Sequence, residues 1–581
     1  MMSPISRRAA LTVGILGGAA ACSPRPPRTS FESVASAGEE YFRHGVASGD
    51  PGPDSVVIWT RFHNDLLPPP VDGRAIEWEV AEDAEFKAVA ASGFARTSPS
   101  ADWTVKVLVE GLQPGRRYFY RFNRGGSYSA VGRTRTLPEG SVSEARFAIV
   151  SCSNYPFGYF NVYDQIARRD DFDAVLHLGD YIYEYGPDGY GGEVGARLGR
   201  PHDPAHEIVT LEDYRRRHAQ YKADPASRAM HAAHPVIAIW DDHETTNNSW
   251  MGGAENHTPE TEGDWAVRKR AALQAYYEWM PIREPEPGRL REAIFRSFSY
   301  GDLLTLAALE TRLMARGEQL SFNDFGPSLR TPADVEKFRR EVLWDKARDM
   351  LGEEQLAFLA SVFRASVAKG QPWRLLANQI IMAETIAPDL SPHVDEAEIQ
   401  ELEKSWDQAR AFVEVSKLGL PTNLDAWDGY PAARERLYDM IKREGRDGLI
   451  VVTGDTHTWW ANDLKAADGT KMGVELGVHS VTSPSPYRKS FLGGRGERYA
   501  LLTNQQNRAV RYLNGEEHGY IDLLIRRDGA EAKFMAVDNI ETPVYSAFEK
   551  AAFAIKRGGG AAKFAGARHI SLKEQWLFNR T

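Results

Sequence analysis

The chain has 581 residues, enough for two or more domains, and 42% hydrophobic with 26% charged residues is an ordinary globular composition. Its formal charge of −10 argues against non-specific binding to nucleic acid, and no specific nucleic-acid partner is indicated. An anionic substrate stays compatible with that charge, because bound metal cations can reverse the local field.

Residues 1–22 have the features of an export signal. Arg7 and Arg8 precede a short apolar run, and the alanines at 19–21 offer small residues for cleavage. The run is shorter than the roughly 20 apolar residues that span a bilayer. The arginine pair predicts twin-arginine export, hence a periplasmic or secreted protein with the export machinery as a partner. Cys22 could instead be a lipoprotein cysteine that anchors the chain to a membrane. Residues 23–43 are rich in Pro, Ser and Arg and are predicted to be a linker.

Residues 44–140 are predicted to form a separate β-sandwich of the fibronectin or immunoglobulin type. Their apolar and polar residues largely alternate over 56–60, 76–80, 103–109 and 118–122, and Gly and Pro punctuate the runs. The turn at 111–118 resembles the one before a late strand of fibronectin type III domains. We assign no chemistry to this region.

Residues 145–542 are predicted to form an α/β catalytic domain with a mostly parallel sheet. Buried apolar runs alternate there with helical patterns such as 210–222, 264–279, 332–350 and 353–368. Five of the runs end in polar residues: 146–150, 174–178, 235–240, 373–377 and 448–452. Since chemistry collects at the carboxyl ends of parallel strands, we expect these polar residues to share one edge.

The residue types at that edge indicate metal binding. Thiolate, phenolate, carboxylate and imidazole together favour ferric iron, and the candidates are Cys152, Asp180, Tyr183 and His457. The strand pleat alone does not choose between Tyr183 and Tyr181. Three further strand-end groups, combined with a bridging Asp180, make an all-oxygen site suited to Ca²⁺ or Mg²⁺: Asp242, Asn378 and Asp455.

Two metals about 3.5–4 Å apart can hold a bridging hydroxide for in-line attack on a phosphoryl group. His243 follows directly after Asp242 and could protonate the leaving alkoxide. His177, inside an apolar run, is interpreted as structural. Asp428 and Tyr430 could line a site, but a helix entry explains them more simply. Two alternatives remain from the residues alone: a non-haem iron redox enzyme, and a calcium-binding surface protein without catalysis.

Several blocks resemble a known family. Gly-Asp-Tyr-Ile-Tyr at 179–183 matches the GDxxY block of purple acid phosphatase-like metallophosphoesterases, which favours Tyr183 as the ligand. Asp-His-Glu at 242–244, Gly-Asp-Thr-His at 454–457 and Ser-Cys-Ser at 151–153 resemble the alkaline phosphatase D (PhoD-like) family. Further similar blocks are Gly-Val-Ala-Ser-Gly-Asp-Pro at 45–51 and Leu-Gly-Glu-Glu-Gln at 351–355.

The resemblance implies a metallophosphoesterase-like layered fold with central sheets flanked by helices. It also implies an exported alkaline phosphatase or phosphodiesterase, with phospholipase D-like activity as one form, acting on a small phosphoester with Fe³⁺ and Ca²⁺. A second Ca²⁺ is implied without ligands that we can place. Glu310 stands before Thr-Arg where the family often has Asp, so the role of Arg312 in substrate binding is open. Weak candidates near the site are Asn154, Glu244, Asn247 and Asn248.

Residues 543–581 are predicted to be a basic helical tail. The patterns at 547–557 and 571–578 favour helices, and three glycines follow the first of them. A terminal helix docked on the catalytic domain explains this tail most simply. The alternative hypothesis is a flap over an anionic site.

Overall fold

A computed structural model of the chain describes residues 40–63, 73–404, 409–488 and 496–569. The strands within these residues, numbered in chain order, are β1 Val46–Gly49, β2 Val56–Arg61, β3 Arg74–Ala81, β4 Val89–Thr97, β5 Thr104–Val109, β6 Arg117–Arg124, β7 Ser127–Tyr128, β8 Gly132–Arg135, β9 Glu144–Val150, β10 Ala174–His177, β11 Pro235–Ala238, β12 Arg296–Tyr300, β13 Leu304–Ala308, β14 Trp373–Ala377, β15 Leu449–Thr453, β16 Trp459–Lys465, β17 Lys471–Gly477, β18 Val510–Asn514, β19 Gly519–Arg526, β20 Ala530–Val537, β21 Ala547–Gly558 and β22 Ala561–His569.

The helices of the same residues are α1 Asn161–Ala167, α2 Gly192–Leu198, α3 Leu211–Ala223, α4 Pro225–Ala233, α5 Pro259–Glu262, α6 Trp265–Trp279, α7 Phe322–Phe325, α8 Pro332–Phe338, α9 Gly352–Ala368, α10 Glu396–Glu403, α11 Ala409–Ser416, α12 Pro431–Glu444 and α13 Gly496–Gln506. The predicted helices at 210–222, 264–279 and 353–368 correspond to α3, α6 and α9. The helix predicted at 332–350 is shorter in the structure, because α8 ends at Phe338 and a π-helical segment continues it only over Arg339–Leu343.

Two large sheets pack face to face and are covered by helices, which confirms the predicted layered α/β fold. One sheet has the strand order β22-β21-β20-β19-β9-β10-β11-β1-β2-β5 and the other β12-β13-β14-β15-β17-β16-β18. The largest core cluster joins both, for example Phe147 and Ile149 with Leu375 and Ile450. Helices α1, α3 and α6 cover the first sheet, and α9 and α12 cover the second.

The strands at the centre of each sheet are parallel, as their continuous apolar runs predict. β9, β10 and β11 pair in parallel in one sheet, and β13, β14 and β15 do so in the other. All residues of β10, β11, β14 and β15 are buried. Strands enclosed on both faces need apolar side chains on both, so these runs do not alternate.

The described residues between 40 and 140 are joined to the ten-stranded sheet more closely than a separate module would be. β1 pairs in parallel with β11, in the register Ser48 to Pro235, and β2 and β5 extend the same sheet. A second sheet, with the order β4-β3-β6-β7 and β8 beside β6, packs over them around a common apolar core. Two sheets therefore do face each other here, while the immunoglobulin-type topology stays a prediction.

The helix predicted at 547–557 is wrong. These residues lie in β21, which pairs antiparallel with β20 and β22 and so extends the ten-stranded sheet beyond residue 542. Phe553 and Ile555 enter the core between the sheets, while Ala554 and Lys556 are exposed. Pairing with a preformed edge overrides the helix propensity of the alanines. The residues after Pro543 therefore supply two strands of the ten-stranded sheet.

Several sequence predictions fall outside the described residues. These are the export signal and Cys22, most of the linker, and the second predicted tail helix at 571–578. Over the described ranges, none of the helices combines the length and apolar character that crossing a membrane requires.

Candidate active site and metal centre

The polar residues that end the five predicted strands meet at one rim of the packed sheets. Cys152, Asp180 and Asp242 follow the neighbouring parallel strands β9, β10 and β11. Asn378 follows β14 and Asp455 follows β15 in the other sheet. The carboxyl ends of both sheets thus contribute to one place, where α/β sheets commonly hold ligands.

Four residues of this rim have left-handed backbone conformations. The φ angles are 60° at Cys152, 55° at Asp180, 62° at Asp455 and 49° at His457. Residues other than glycine seldom adopt such angles, and each costs on the order of 1–3 kcal/mol. Strain of this kind is typical of functional sites, where the backbone must aim side chains at a common point.

One cluster contains the predicted iron ligands. Potential ligand atoms of Cys152, Asp180 and His457 lie within 4.8 Å of one another. The Tyr183 hydroxyl donates to Asp180 Oδ2 at 3.0 Å and lies 3.3 Å from His457 Nε2. His457 Nδ1 is 3.0 Å from the Pro484 carbonyl oxygen, which leaves Nε2 facing the cluster. The structure therefore brings all four predicted residues together.

Tyr181, the alternative to Tyr183, faces another part of the molecule. Its hydroxyl lies 3.1 Å from Ser227 Oγ and 3.0 Å from His231 Nε2, behind the strand. His177 also lies in this buried layer, with Nε2 2.7 Å from the Tyr163 hydroxyl, in agreement with a structural role.

Two further clusters adjoin the first. Asp180, Asp242 and His243 form one group of close potential ligand atoms, and Asp241, Asp242 and Asp455 form another. Asp180 is shared with the first cluster, as expected of a bridging carboxylate. Asp241 was not predicted as a site residue, although it stands next to Asp242 in the same polar stretch.

Asn378 is fully buried at the end of β14 and its amide is engaged with protein. Nδ2 donates to the Ile380 carbonyl at 2.5 Å, and Oδ1 accepts from Trp427 Nε1 at 3.3 Å. A carbonyl-type oxygen has two lone pairs, so Oδ1 can still accept a cation. Its predicted role as a ligand stays a prediction.

The buried carboxylates of the site fit cations. Among the described residues, Asp180 Oδ1, Asp241 Oδ2 and Asp242 Oδ1 have no hydrogen-bond partner. Burial and neighbouring carboxylates raise the pKa of Asp180 and of Asp455 well above the ordinary range. Burial also raises the pKa of the Cys152 thiol. A cation would satisfy the unpartnered oxygens and favour the deprotonated forms, as metal sites do.

Arg312 supplies positive charge from within the protein. Its guanidinium is fully buried and pairs with Asp241 at 2.5 Å and with Asp425 at 2.8 Å. Nη2 lies 3.7 Å from Asp242 and 3.6 Å from Asp455. Arg312 therefore orients the carboxylates of Asp241 and Asp425 through direct ion pairs.

His243 is held by a buried carboxylate. Its Nδ1 lies 2.7 Å from Glu184 Oε2, and its ring stacks on Tyr183 with the ring centres 4.2 Å apart. Burial alone would lower the pKa of His243, but Glu184, Asp242 and Asp180 outweigh it and raise that pKa. Since Nδ1 is occupied by Glu184, Nε2 is the atom available for proton transfer.

A cleft of about 290 Å³ opens beside Asp455 and His457. Its walls include Tyr190, Trp460 and Tyr487. The rim therefore has space for a small molecule next to the candidate ligands.

Comparisons with known proteins agree with this geometry. The family described as PhoD-like phosphatase matches residues 147–534, and its N-terminal domain matches residues 28–138. The chain belongs to the PhoD-like phosphatase family. It is 33% identical over 536 residues to alkaline phosphatase D of Bacillus subtilis (strain 168), covering 89% of this chain and 81% of that protein. A solved structure of PhoD superposes with a TM-score of 0.73 at 30% identity, covering 94% of this chain and 98% of that one.

Membership in the PhoD-like phosphatase family confirms the predicted enzyme class, a phosphoric ester hydrolase. The acidic, cysteine and histidine clusters agree with a metal-dependent reaction. A small phosphoester is thus the substrate class of this PhoD-like phosphatase, and the redox and calcium-surface alternatives lose their support.

Glu244 fixes two of the strand ends in this PhoD-like phosphatase. Its carboxylate accepts from the backbone N–H groups of Asp180 at 3.0 Å, Tyr181 at 2.6 Å and Asp241 at 2.8 Å. It ties the loop after β10 to the loop after β11. The weak candidate Glu244 is therefore a positioning residue here.

We expect Gly179→Ala to disrupt the site. Gly179 has φ of 105°, and an added Cβ would lie 2.4 Å from the Asp241 nitrogen. We expect more than about 3 kcal/mol of lost stability, because backbone strain adds to the clash, together with lower metal content. Urea unfolding and metal analysis measure both. The control is Gly469→Ala. Gly469 has φ of 83°, but an added Cβ would meet no atom within 4 Å, so we expect a loss of only about 1–2 kcal/mol in the free energy of unfolding. Equal losses in the two variants would contradict the argument.

Sequence reasoning missed Glu184 and Asp425 in this PhoD-like phosphatase. Glu184 directly follows Tyr183, and that adjacency was an available signal. Asp425 lies in the same stretch as Asp428 and Tyr430, which the sequence offers as residues that could line a site. Those two are structural, since Asp428 pairs with Arg434 at 2.6 Å and the Tyr430 hydroxyl donates to the Gly317 carbonyl.

Three asparagines were weak candidates near the site. Asn154 is fully buried, and its two amide atoms have no partner among the described residues. The Asn248 backbone N–H donates to Asp242 Oδ2 at 2.6 Å, which orients that carboxylate. The Asn247 backbone N–H donates to Glu184 Oε1 at 2.7 Å. The last two therefore act through their backbone.

Proposed function

We propose that this PhoD-like phosphatase hydrolyses phosphoesters by in-line attack of water on phosphorus, with His243 protonating the leaving alkoxide. The observation that carries the proposal is the shared position of Asp180. It belongs to the Cys152 and His457 cluster and also to the Asp242 and His243 cluster. A carboxylate shared by two metal sites beside a held histidine suits phosphoryl transfer.

The donor sets suggest which metal belongs where. Cys152, Asp180, Tyr183 and His457 would hold Fe³⁺, because thiolate and phenolate donors stabilise the ferric state. Asp180, Asp242, Asn378 and Asp455 would hold Ca²⁺, a hard cation that prefers oxygen. The remaining group around Asp241 already faces the Arg312 guanidinium, so we assign no second Ca²⁺ to it.

The metal ions, when bound, would supply Lewis-acid activation of water and neutralise the phosphoryl oxygens. Residues of the chain itself donate the proton and hold the reacting groups in position. Glu184 accepts from His243 Nδ1 and so directs Nε2 as the proton donor to the leaving group. The stacked Tyr183 ring limits rotation of the imidazole. Arg312 keeps Asp242 and Asp455 aimed at the rim through its contacts from behind.

The cleft beside Asp455 and His457 could accommodate an organic leaving group. Its aromatic walls at Tyr190, Trp460 and Tyr487 suit an apolar substituent, such as that of a phosphodiester or a phospholipid. We infer both phosphatase and phosphodiesterase activity, with phospholipase D-like hydrolysis as one form of the latter. Rates on an aryl phosphate and on a bis-aryl phosphate, with and without Ca²⁺, test this. Inactivity on both esters in the metal-loaded enzyme would contradict the proposed function.

We further propose that the protein is exported to the periplasm or beyond by the twin-arginine route. The Arg7-Arg8 pair and the apolar run after it support this, and a protein that loads metals before export suits a route for folded chains. Lipid attachment at Cys22 is the alternative mode of retention at a membrane. Fractionation of cells producing the native and the Arg7→Lys/Arg8→Lys chains tests the route.

We expect the iron-loaded protein to be coloured, through charge transfer from the Tyr183 phenolate. Tyr183→Phe should lose the visible absorption band and lower iron content, while calcium content changes less. Tyr181→Phe is the matched control, because its hydroxyl contacts Ser227 and His231 instead, and it should keep the colour. Visible spectroscopy with elemental analysis makes the measurement. A colourless, iron-free wild-type enzyme with full activity would overturn the iron assignment.

A further inference from the structure

A second pocket, of about 560 Å³, lies at the opposite ends of the strands that carry the active site. Arg374 is the second residue of β14, whereas Asn378 follows that strand. Asp447 precedes β15, whereas Asp455 follows it. At about 3.3 Å per residue, the two sites are separated by roughly 13 Å along β14. The pocket is therefore distinct from the rim that holds the candidate metal ligands.

Arginines dominate the wall of this pocket. Arg374, Arg446, Arg527 and Arg557 all line it, and Asp447 is the acidic lining residue. Arg527 pairs with Asp302 at 2.5 Å. The four guanidinium groups and the carboxylates of Asp447 and Asp302 give this region a local net charge of +2. The whole chain, in contrast, has a formal charge of −10. A positive pocket on such a protein is a selective location for an anion.

Arg374 is the buried member of the group. The residue is 6% exposed, and its Nη1 donates to the Asp447 carbonyl at 2.5 Å. Its Nε is buried and has no partner among the described residues. Burial, with Arg557 nearby, lowers the pKa of Arg374. An oxyanion in the pocket would stabilise the charged form of this partly desolvated guanidinium, which the Asp447 carbonyl holds in the wall of the pocket.

The other guanidinium groups are held in place by separate segments. Arg446 Nη1 donates to the Lys471 carbonyl at 3.1 Å. Arg557 Nη1 donates to Asp447 Oδ2 at 3.2 Å, and its guanidinium lies 5.8 Å from the Trp373 ring centre. Gly448 permits this packing, since a Cβ there would lie 3.1 Å from Arg557 Cδ. The donors are thus preorganised, which lowers the entropic cost of binding.

We propose that this pocket binds inorganic phosphate at a site separate from the catalytic centre. Guanidinium groups offer planar pairs of donors that match phosphate oxygens, and charge-assisted hydrogen bonds are the stronger kind. Arg557 lies in β21, so the segment whose sequence predicts a tail helix supplies part of this site. β14 and β15 connect the pocket directly to Asn378 and Asp455 at the rim.

The test is a calorimetric titration of the desalted, metal-loaded enzyme with inorganic phosphate. The wild type should bind two phosphates per chain, one as a competitive inhibitor of hydrolysis and one in the basic pocket. Arg446→Gln/Arg557→Gln should weaken the second binding step at least tenfold. The inhibition constant of phosphate, which reports the catalytic site, should stay unchanged.

The matched control, Arg340→Gln/Arg568→Gln, removes the same charge at two exposed arginines elsewhere and should still bind two phosphates. Binding of one phosphate by the wild type would overturn the proposal. The proposal would also be overturned if Arg446→Gln/Arg557→Gln bound two phosphates with wild-type affinity. Failure of the proposed catalysis would appear separately, as absent hydrolysis with the pocket still titrating.

Discussion

Asp180→Asn should remove both metals and reduce activity more than any other single ligand substitution. Asp180 lies both in the cluster with Cys152 and His457 and in the cluster with Asp242 and His243, whereas Cys152 and His457 lie in one cluster each. An amide carries no charge, so the attraction for both cations falls together. Loss of a supporting partner behind a ligand typically costs about 10–100-fold, and we expect loss of a shared ligand to exceed 100-fold in kcat/KM.

Elemental analysis of iron and calcium, beside steady-state rates, measures this outcome. Asp439→Asn is the matched control, because that carboxylate is 60% exposed and contacts Lys442 at the surface. It should keep both metals and full activity. Circular dichroism tests whether the Asp180→Asn chain is folded, and we expect a wild-type spectrum. If folded Asp180→Asn kept both metals and wild-type turnover, Asp180 would not be the bridge between the two sites.

His243→Gln should lower kcat by about 10²–10⁴-fold on an alkyl phosphate while both metals stay bound. The imidazole is the proposed acid for the leaving alkoxide, and its Nδ1 is already committed to Glu184 at 2.7 Å. A nitrophenolate leaves without protonation, so the loss on nitrophenyl phosphate should be much smaller. The ratio of the two losses separates a proton-transfer role from general damage to the site.

Two companion variants sharpen the interpretation of His243→Gln. Glu184→Gln keeps a hydrogen-bond partner at Nδ1 but removes the negative charge, and it should reproduce the dependence on leaving group to a smaller degree. His206→Gln changes a histidine whose side chain is 58% exposed, and it should leave both rates unchanged. Equal losses of His243→Gln on the alkyl and nitrophenyl esters would rule out His243 as the acid.

The sequence predicted which residues gather at the candidate site, because those residues follow local patterns. Cys152, Asp180 and Asp242 each follow an apolar run, and the pairing of such runs in parallel places their ends together. The choice of Tyr183 over Tyr181 needed the family resemblance. Asp241 and Glu184 were overlooked although each adjoins a predicted site residue, because adjacency does not reveal where a side chain points.

The sequence by itself determined the alternation of helices with buried parallel strands and the types of ligand at the strand ends, because those depend on short-range periodicity, whereas the layered arrangement is implied by the family resemblance. Only the tertiary structure decided that Arg312 pairs with Asp425, 113 residues away, and that Arg374 and Arg557 share a pocket. It also decided that β1 joins the catalytic sheet and that residues 547–558 form a strand. Such contacts depend on which distant segments pack together, and packing and edge pairing can outweigh the local propensity of a segment.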